Sequence, residues 1–173
     1  MSRIAAIVTV LVLSGVVGWL GLEANRVTAD RQNARTARAV LPSLELVDLE
    51  DRPAAVEAAY DRSTVLVFLT TICEFCKSQV AAMRRNASAF ARVDVLFISP
   101  EQSQPVRELR REYDLDQFPQ FQVLRDTVPT LARMLHIRRV PTVLVYDPAG
   151  RLNEEFEGLT SIERILDAVE VTR

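Results

Sequence analysis

The sequence predicts an α/β domain with a mixed central β-sheet flanked by helices. Between residues 41 and 173, short apolar runs rich in β-branched residues alternate with segments of helical periodicity. The chain then closes with a predicted β-hairpin and one further helix, which adds antiparallel strands to the sheet. A length of 173 residues suits one such domain preceded by a short segment.

The N-terminal residues 4–22 carry no charged side chain. As a helix this run would be about 28 Å long, close to the roughly 30 Å hydrocarbon core of a bilayer. Trp19 near its end fits the interfacial aromatic belt. The alternative is a signal peptide cleaved at Val27-Thr28-Ala29, but the apolar run is longer than usual for one and that site lies several residues beyond it. We therefore expect an uncleaved transmembrane signal anchor.

Residues 23–40 follow as a polar, arginine-rich linker or helical stalk, and the sequence does not decide between the two. The predicted domain starts at residue 41. Residues 44–49 alternate apolar and polar types, which predicts an opening strand. Residues 53–60 are predicted to form a short helix or an irregular link.

A C-x-x-C motif stands where a buried strand gives way to a helix. Residues 65–69 are an apolar, β-branched run that predicts a fully buried strand. The only two cysteines of the chain follow, in the order Cys73-Glu74-Phe75-Cys76. Apolar residues then recur at helical spacing, at Val80, Met83, Ala87 and Phe90. A helix N-terminus favours the thiolate, which is the reactive form of cysteine.

Two more elements are predicted before the last strands. Residues 93–98 read as a second buried strand, and residues 105–113 read as a short amphipathic helix with proline in its first turn. Residues 118–124 are predicted to be a loop or a short extended segment. Thr127 is expected to cap a helix that runs through Met134.

The final elements form a hairpin and a helix. Residues 140–146 predict a third strand, and residues 147–150 place proline and glycine where a type I turn favours them. Residues 151–156 are predicted to return antiparallel. The sequence Thr160-Ser161-Ile162-Glu163 has the form of a capping box and is expected to open the last helix.

The composition limits the classes of function. The net charge is −2, and no basic stripe is interleaved with aromatic residues, so we expect no nucleic-acid partner. A structural disulfide rarely closes so small a ring as C-x-x-C. A zinc site would need two more ligands, and His136, the only histidine, is expected at a helix end rather than as a catalytic base. We therefore expect a redox-active dithiol with no metal ion and no cofactor.

These residues resemble the thioredoxin superfamily, above all its membrane-tethered thiol–disulfide oxidoreductases of the TlpA/ResA type, which share features with peroxiredoxins. The resemblance covers residues 41–171 and rests on three features. They are the strand that enters the C-x-x-C helix, the segment 118–140, and Val140-Pro141-Thr142 followed by a strand and an Asp-x-x-Gly turn. It implies a thioredoxin-like fold for residues 41–173.

The resemblance also implies roles for four residues. Cys73 is implied to be the attacking thiol at the exposed helix end, and Cys76, one turn in, the buried resolving thiol. The peptide bond between Val140 and Pro141 is implied to be cis. The backbone of Val140 is then implied to pair with a bound substrate strand.

Two positions depart from the family pattern. Ile72 stands where family members usually carry tryptophan before the first cysteine, at the docking surface. Glu74-Phe75 lies between the cysteines, and an acidic first residue is similar to the subgroup that reduces haem-site disulfides of apocytochrome c. The charge of Glu74 disfavours the neighbouring thiolate, whereas strong oxidants of this fold depend on a stabilised reduced form. Glu74 is therefore predicted to modulate the dithiol toward a reductant.

The resemblance implies a single-pass protein of the bacterial inner membrane, with its dithiol domain facing the periplasm or the cell exterior. It would reduce protein disulfides, as in cytochrome c maturation, and would receive electrons from a membrane-embedded donor. Two alternatives stay open. One is a non-enzymatic maturation factor for a periplasmic redox enzyme. The other is a peroxiredoxin-like peroxidase, because Thr70-x-x-Cys73 matches part of that pattern although Leu66 stands where it has proline.

Overall fold

The computed structural model describes residues 19, 23, 32–56, 61–128 and 130–170. The chain divides into two units, Met1–Thr36 and Ala37–Arg173. Of the first unit, residues 19, 23 and 32–36 are described, and each is helical. The second unit contains all the strands named below.

The described residues form one seven-stranded sheet in the order β2-β1-β5-β4-β3-β6-β7. β3 runs parallel to β4, and β4 runs parallel to β5, while the remaining pairs are antiparallel. The sheet is therefore mixed, as predicted. The strands are β1 (Leu44–Val47), β2 (Pro53–Val56), β3 (Ser63–Phe68), β4 (Val93–Ser99), β5 (Phe121–Arg125), β6 (Thr142–Tyr146) and β7 (Leu152–Glu157).

Four labelled helices flank this sheet in the second unit: α1 (Glu74–Arg85), α2 (Ser103–Glu112), α3 (Thr130–Met134) and α4 (Ile162–Glu170). Short 3₁₀ turns lie at Ala87–Phe90 and Leu115–Gln117. α1 ends at Asn86, whose backbone N–H closes back on Met83. The predicted helical face therefore continues through a 3₁₀ turn rather than through one unbroken helix.

The central strand β3 separates two apolar clusters. All six of its residues are buried, as the apolar run predicted. Because successive side chains point to opposite faces of a sheet, Val65 and Val67 join the cluster that packs against α1, while Leu66 and Phe68 join the other cluster. A core on both faces holds the carboxyl end of β3 in place, and the C-x-x-C motif follows that end directly.

Two segments for which the sequence left alternatives open are strands, and for residues 118–124 the predicted short extended segment is the alternative observed. Residues 53–56, expected to be a short helix or irregular link, form the edge strand β2, which pairs antiparallel with β1. Proline at its start is tolerated because an edge strand needs no donor on its outer side. Residues 57–60 of the same prediction lie outside the described residues. Residues 121–125 form β5, an interior strand beside β4.

Two predicted helix caps are displaced. Asp126, rather than Thr127, accepts the first N–H groups of α3, from Thr130 at 3.2 Å and Ala132 at 3.0 Å. Helix α4 begins at Ile162, one residue later than a cap at Thr160 would give. The backbone N–H of Thr160 donates instead to the Gln79 side chain on α1.

The predicted signal anchor at residues 4–22 lies outside the described residues apart from Trp19. Among the residues that are described, no helix is both long and apolar enough to cross a membrane. The segment predicted as a linker or stalk, residues 23–40, is helical at 32–38. Its Arg38 is buried in the second unit, where its guanidinium donates to Leu135 O at 2.7 Å and pairs with Glu155 at 2.7 Å.

Candidate active site

Cys73 is the N-cap residue of α1. Its backbone is extended, its carbonyl accepts the Lys77 N–H at 3.0 Å, and its Sγ accepts the Cys76 N–H at 3.4 Å. A sulfur at this position receives a backbone donor and the positive end of the helix dipole. The fold thus places the Cys73 sulfur at the amino end of α1, within reach of a backbone donor.

Cys76 lies one turn further in and is fully buried, whereas Cys73 is half-buried. Both cysteines are free thiols in this structure. Burial, followed by the hydrogen bond with Cys73, raises the pKa of Cys76 to about 12. The two thiols are therefore unequal: Cys73 is accessible at the helix end, and burial holds Cys76 in its protonated form.

The segment 139–141 faces the dithiol and is fixed by its carbonyl groups. The bond between Val140 and Pro141 is cis. Arg139 O accepts the Thr142 hydroxyl at 2.8 Å, and Pro141 O accepts the Gly158 N–H at 2.8 Å. Between them, Val140 O accepts the Cys73 thiol at 3.8 Å. The structure thus brings Cys73, Cys76, Val140 and Pro141 together, in one place, although the sequence separates them by more than sixty residues.

Glu74 is exposed to solvent. Its side chain is 80% exposed, and its carboxylate pairs with Lys77 at 2.8 Å. An exposed, paired charge acts weakly on its neighbours because water and the counter-charge screen it. The predicted modulation of Cys73 by Glu74 stays a prediction, and this pairing limits its size.

Sequence reasoning missed Glu101, a half-buried carboxylate behind the dithiol. It accepts both the backbone N–H of Thr71 at 2.6 Å and the Thr71 hydroxyl at 2.9 Å, and the Ser99 hydroxyl at 3.0 Å. These bonds hold the loop before Cys73 against the end of β4. The sequence did contain a signal for Glu101. It follows β4 just as Thr71 follows β3, and residues that follow neighbouring parallel strands meet at the same edge of a sheet.

Gln79 was also missed. It is fully buried on α1, and its Oε1 accepts the backbone N–H of Thr160 at 2.8 Å. With the bond from Gly158 to Pro141, this places the loop between β7 and α4 against both α1 and the segment 139–141. A buried glutamine in the apolar stripe of a predicted helix was the signal that could have found it.

Three large apolar side chains near the dithiol in the sequence or in the adjoining loop are exposed to solvent. Ile72 is 84% exposed and Phe75 is 65% exposed, and they lie on either side of Cys73 in the sequence. Leu159, in the loop tied to Gln79 and Pro141, is 53% exposed. Large apolar side chains are therefore exposed on both the motif that carries Cys73 and the loop that contacts Pro141.

The only histidine lies elsewhere. His136 has a left-handed backbone just after α3, and its carbonyl accepts a hydrogen bond from Arg38 at 2.9 Å. It is a helix-end residue, as predicted. Among the described residues, no group of His, Cys, Asp and Glu side chains is arranged to hold a metal ion.

The family model for the AhpC/TSA family matches residues 37–155. This chain belongs to the AhpC/TSA family. The match begins at the residue where the second structural unit begins, and it covers the dithiol, Val140 and Pro141. The chain is thus a redoxin of the thioredoxin superfamily. Among curated proteins, a search finds no match to this chain.

Solved structures share the fold. DsbF of MTB is 18% identical with a TM-score of 0.67, and the match covers 77% of this chain and 99% of that chain. StoA from Bacillus subtilis is 19% identical with a TM-score of 0.61, covering 76% and 99%. The peroxidoxin BcpB from Mycobacterium tuberculosis is 17% identical with a TM-score of 0.65, covering 78% and 96%. At these identities the likeness establishes the thioredoxin-like fold of this redoxin.

Proposed function

We propose that this redoxin reduces disulfide bonds of proteins outside the cytoplasm. The observation that carries the proposal is the geometry of the dithiol. An accessible Cys73 caps a helix and contacts Val140 O, while Cys76 is buried one turn in. The surrounding apolar surface of Ile72, Phe75 and Leu159 suits a polypeptide partner.

The reaction is a two-step thiol–disulfide exchange. The Cys73 thiolate attacks one sulfur of the substrate disulfide, so that a mixed disulfide forms and the other substrate sulfur leaves as a thiolate. Cys76 then loses its proton and attacks Cys73 Sγ, which releases the second substrate thiolate. The substrate gains two electrons and, from solvent, two protons. The enzyme is left with a Cys73–Cys76 disulfide.

The proposal predicts different behaviour of two serine variants. Cys76→Ser removes the resolving thiol, so mixed disulfides with substrate proteins should accumulate on non-reducing gels. Cys73→Ser leaves only the buried, high-pKa thiol, and it should trap little. The double variant serves as the control. Equal trapping by the two single variants would remove the assignment of Cys73 as the nucleophile.

The place of the reaction is part of the proposal. We propose that residues 4–22 anchor the chain in the inner membrane and that a membrane-embedded dithiol returns electrons to the Cys73–Cys76 disulfide. The uncharged length of this segment supports the anchor. The chemistry supports an extracytoplasmic location, because a reductase of protein disulfides is needed where disulfides form. Haem-site disulfides of apocytochrome c are the substrate class that we propose.

Reporter fusions test the proposed topology. Alkaline phosphatase fused after Val40 should be active, because the domain would face an oxidising compartment. A cytoplasmic reporter fused at the same residue should be silent. The arginines after the apolar segment, such as Arg35 and Arg38, taken alone favour the opposite orientation. The reversed reporter pattern would place the domain in the cytoplasm and would leave a membrane-bound thioredoxin.

Peroxide reduction is the second candidate. It is favoured by the AhpC/TSA family match, by the peroxidoxin fold, and by Thr70, which lies three residues before Cys73. A coupled peroxide-consumption assay separates the two activities. Consumption of hydrogen peroxide by the wild-type chain, lost in Cys73→Ser, would establish the peroxidase.

A further inference from the structure

A pocket adjoins the candidate active site at Val140. It is a pocket of about 190 Å³, open on one side, at the carboxyl ends of β3 and β4. Its walls are apolar and come from three parts of the chain: Phe68, Leu69, Ile98, Pro100, Ala132 and Ile137. We call this the β3–α3 pocket.

The size of the β3–α3 pocket suits one large apolar side chain. A cavity of about 150 Å³ lined by apolar side chains binds a benzene molecule. A volume of about 190 Å³ therefore admits a phenylalanine or leucine side chain from outside.

The rim of the pocket is basic. Arg138 and Arg139 line it, and the Arg139 side chain is 79% exposed. Arg139 reaches Glu157 only at 4.0 Å, which leaves its guanidinium available for a closer carboxylate. The one acidic lining residue, Asp126, uses its oxygens on the N–H groups of Thr130 and Ala132. The rim therefore complements an acidic ligand.

The pocket is continuous with the site of reaction through Val140. This residue lines the pocket, and its carbonyl contacts Cys73 Sγ at 3.8 Å. An extended chain advances about 3.3 Å per residue. Two residues of extended chain span about 7 Å, so a polypeptide that pairs its cysteine with Cys73 and runs along Val140 carries nearby side chains toward the residues that line the pocket.

We propose that the β3–α3 pocket is a substrate subsite that receives a phenylalanine or leucine two residues from the target cysteine, with an adjacent acidic residue of the substrate facing Arg139. This inference rests on the proposed reduction of protein disulfides, and it adds a sequence preference to that activity. The apolar walls give affinity, and the basic rim gives orientation.

Synthetic peptides with one intramolecular disulfide test the subsite. The first carries Phe two residues outside each cysteine and Glu beside each Phe. The second replaces Phe by Ser, and the third replaces Glu by Gln. Reduction by the full chain, regenerated with dithiothreitol, gives kcat and KM. KM should be about tenfold lower for the first peptide than for the second, as for a filled apolar pocket. It should be about threefold lower than for the third.

Two variants locate the preference. Ala132→Phe fills the pocket, so the KM ratio of the Ser and Phe peptides should fall from about ten to near one. Arg139→Gln should abolish the preference for Glu over Gln and keep the preference for Phe. Ala89→Phe, an exposed alanine in the 3₁₀ turn after α1, is the matched control and should keep both ratios. A ratio between two substrates does not change when part of the enzyme is misfolded.

The outcomes separate the subsite from the function. Equal KM values for the three peptides with the wild-type chain, or an unchanged ratio in Ala132→Phe, would overturn the subsite while the reductase activity stands. Failure to reduce any of the peptides, or glutathione disulfide, would overturn both. Loss of the Phe preference in Ala132→Phe, with the preference kept in Ala89→Phe, supports the subsite.

Discussion

Cys73 and Cys76 differ because their positions on one helix differ. Cys73 caps α1, its sulfur accepts the Cys76 N–H, and its side chain stays partly accessible to solvent. Cys76 is surrounded by the core, so its charged form is disfavoured and its pKa is about 12. One turn of helix therefore separates an accessible thiol from a buried one, which is the arrangement that the proposed exchange needs.

Glu74 allows a test of charge at the nucleophile. Because its carboxylate opposes the Cys73 thiolate, Glu74→Gln should stabilise the reduced form and make the dithiol more oxidising. Lys77 pairs with Glu74, so the shift in reduction potential should be on the order of 10 mV. Equilibration against a glutathione buffer measures it. Arg84→Gln, near the carboxyl end of α1, is the control. A shift of Glu74→Gln toward a more reducing potential would show that the Glu74 charge does not disfavour the Cys73 thiolate.

The site residues differ in how far the sequence reveals them. Cys73 and Cys76 form a local motif, and Pro141 lies in a recognisable Val-Pro-Thr sequence, so a single pass along the chain finds them. Glu101 acts on Thr71, 30 residues away, and Gln79 acts on Thr160, 81 residues away. Neither pair has a periodicity or a motif, and each becomes visible only once the fold brings the partners together.

α1 connects two parts of the candidate active site. Its first residue follows the nucleophile, and its buried Gln79 reaches the loop between β7 and α4. That loop in turn donates from Gly158 to Pro141. Helix, loop and the segment 139–141 are thus connected by two hydrogen bonds, which fixes Leu159 at the edge of the active site.

The connection through Gln79 predicts a stability effect. Gln79→Met keeps the shape of the side chain but leaves the buried Thr160 N–H without a partner, which costs about 1–3 kcal/mol. The loss should lie at the low end, because Gln79 Nε2 has no partner among the described residues and its burial is relieved. Urea unfolding measures it as a lower midpoint at an unchanged m-value. Gln104→Met on the exposed face of α2 is the matched control and should change stability by less than about 0.5 kcal/mol.

The elements that the sequence predicts well are those with one dominant pattern. The central strands β3, β4 and β6 are continuous apolar runs because both of their faces are covered. The edge strand β2 has no such pattern, and its proline argued against a strand. In β5, Gln122 and Arg125 interrupt the apolar run, and Arg125 is buried with its charge paired to Asp51 at 2.6 Å. Asp51, which neutralises the buried charge of Arg125, lies 74 residues away in the sequence, so the pattern of apolar residues does not reveal the pair.

At the scale of the molecule, the sheet aligns two sequence-distant groups. The C-x-x-C motif follows β3, and the segment 139–141 precedes β6, which pairs antiparallel with β3. Phe68 at the end of β3 is opposite Thr142 at the start of β6, so the two loops emerge side by side. The alternation of strands and helices predicted a mixed sheet. The sequence did not predict the register between β3 and β6, because that register depends on how both faces of the sheet are packed.

The buried thiol of Cys76 predicts how the stability of the reduced protein depends on pH. Its pKa is raised from about 8.5 in an unfolded chain to about 12 in the folded one, so above pH 8.5 the folded state holds a proton that the unfolded state has lost. The protonated Cys76 thiol therefore contributes fully to the free energy of unfolding below pH 8.5. Above pH 8.5 this contribution declines by as much as about 1.4 kcal/mol per pH unit.

Urea unfolding of the reduced chain between pH 7 and pH 10 measures this decline. Burial also raises the pKa values of Tyr113 and Tyr146, and their ionisation lowers the stability only above about pH 10. Between pH 7 and pH 10 the loss of stability is therefore assigned to the thiols. Cys76→Ala removes the titrating group and retains Cys73, so its stability should fall less steeply over the same range, whatever its absolute loss from the missing sulfur. Parallel curves for the two proteins would show that Cys76 ionises in the folded state as readily as in the unfolded state. The proposed second exchange step, in which Cys76 attacks Cys73 Sγ, would then not be limited by a raised Cys76 pKa.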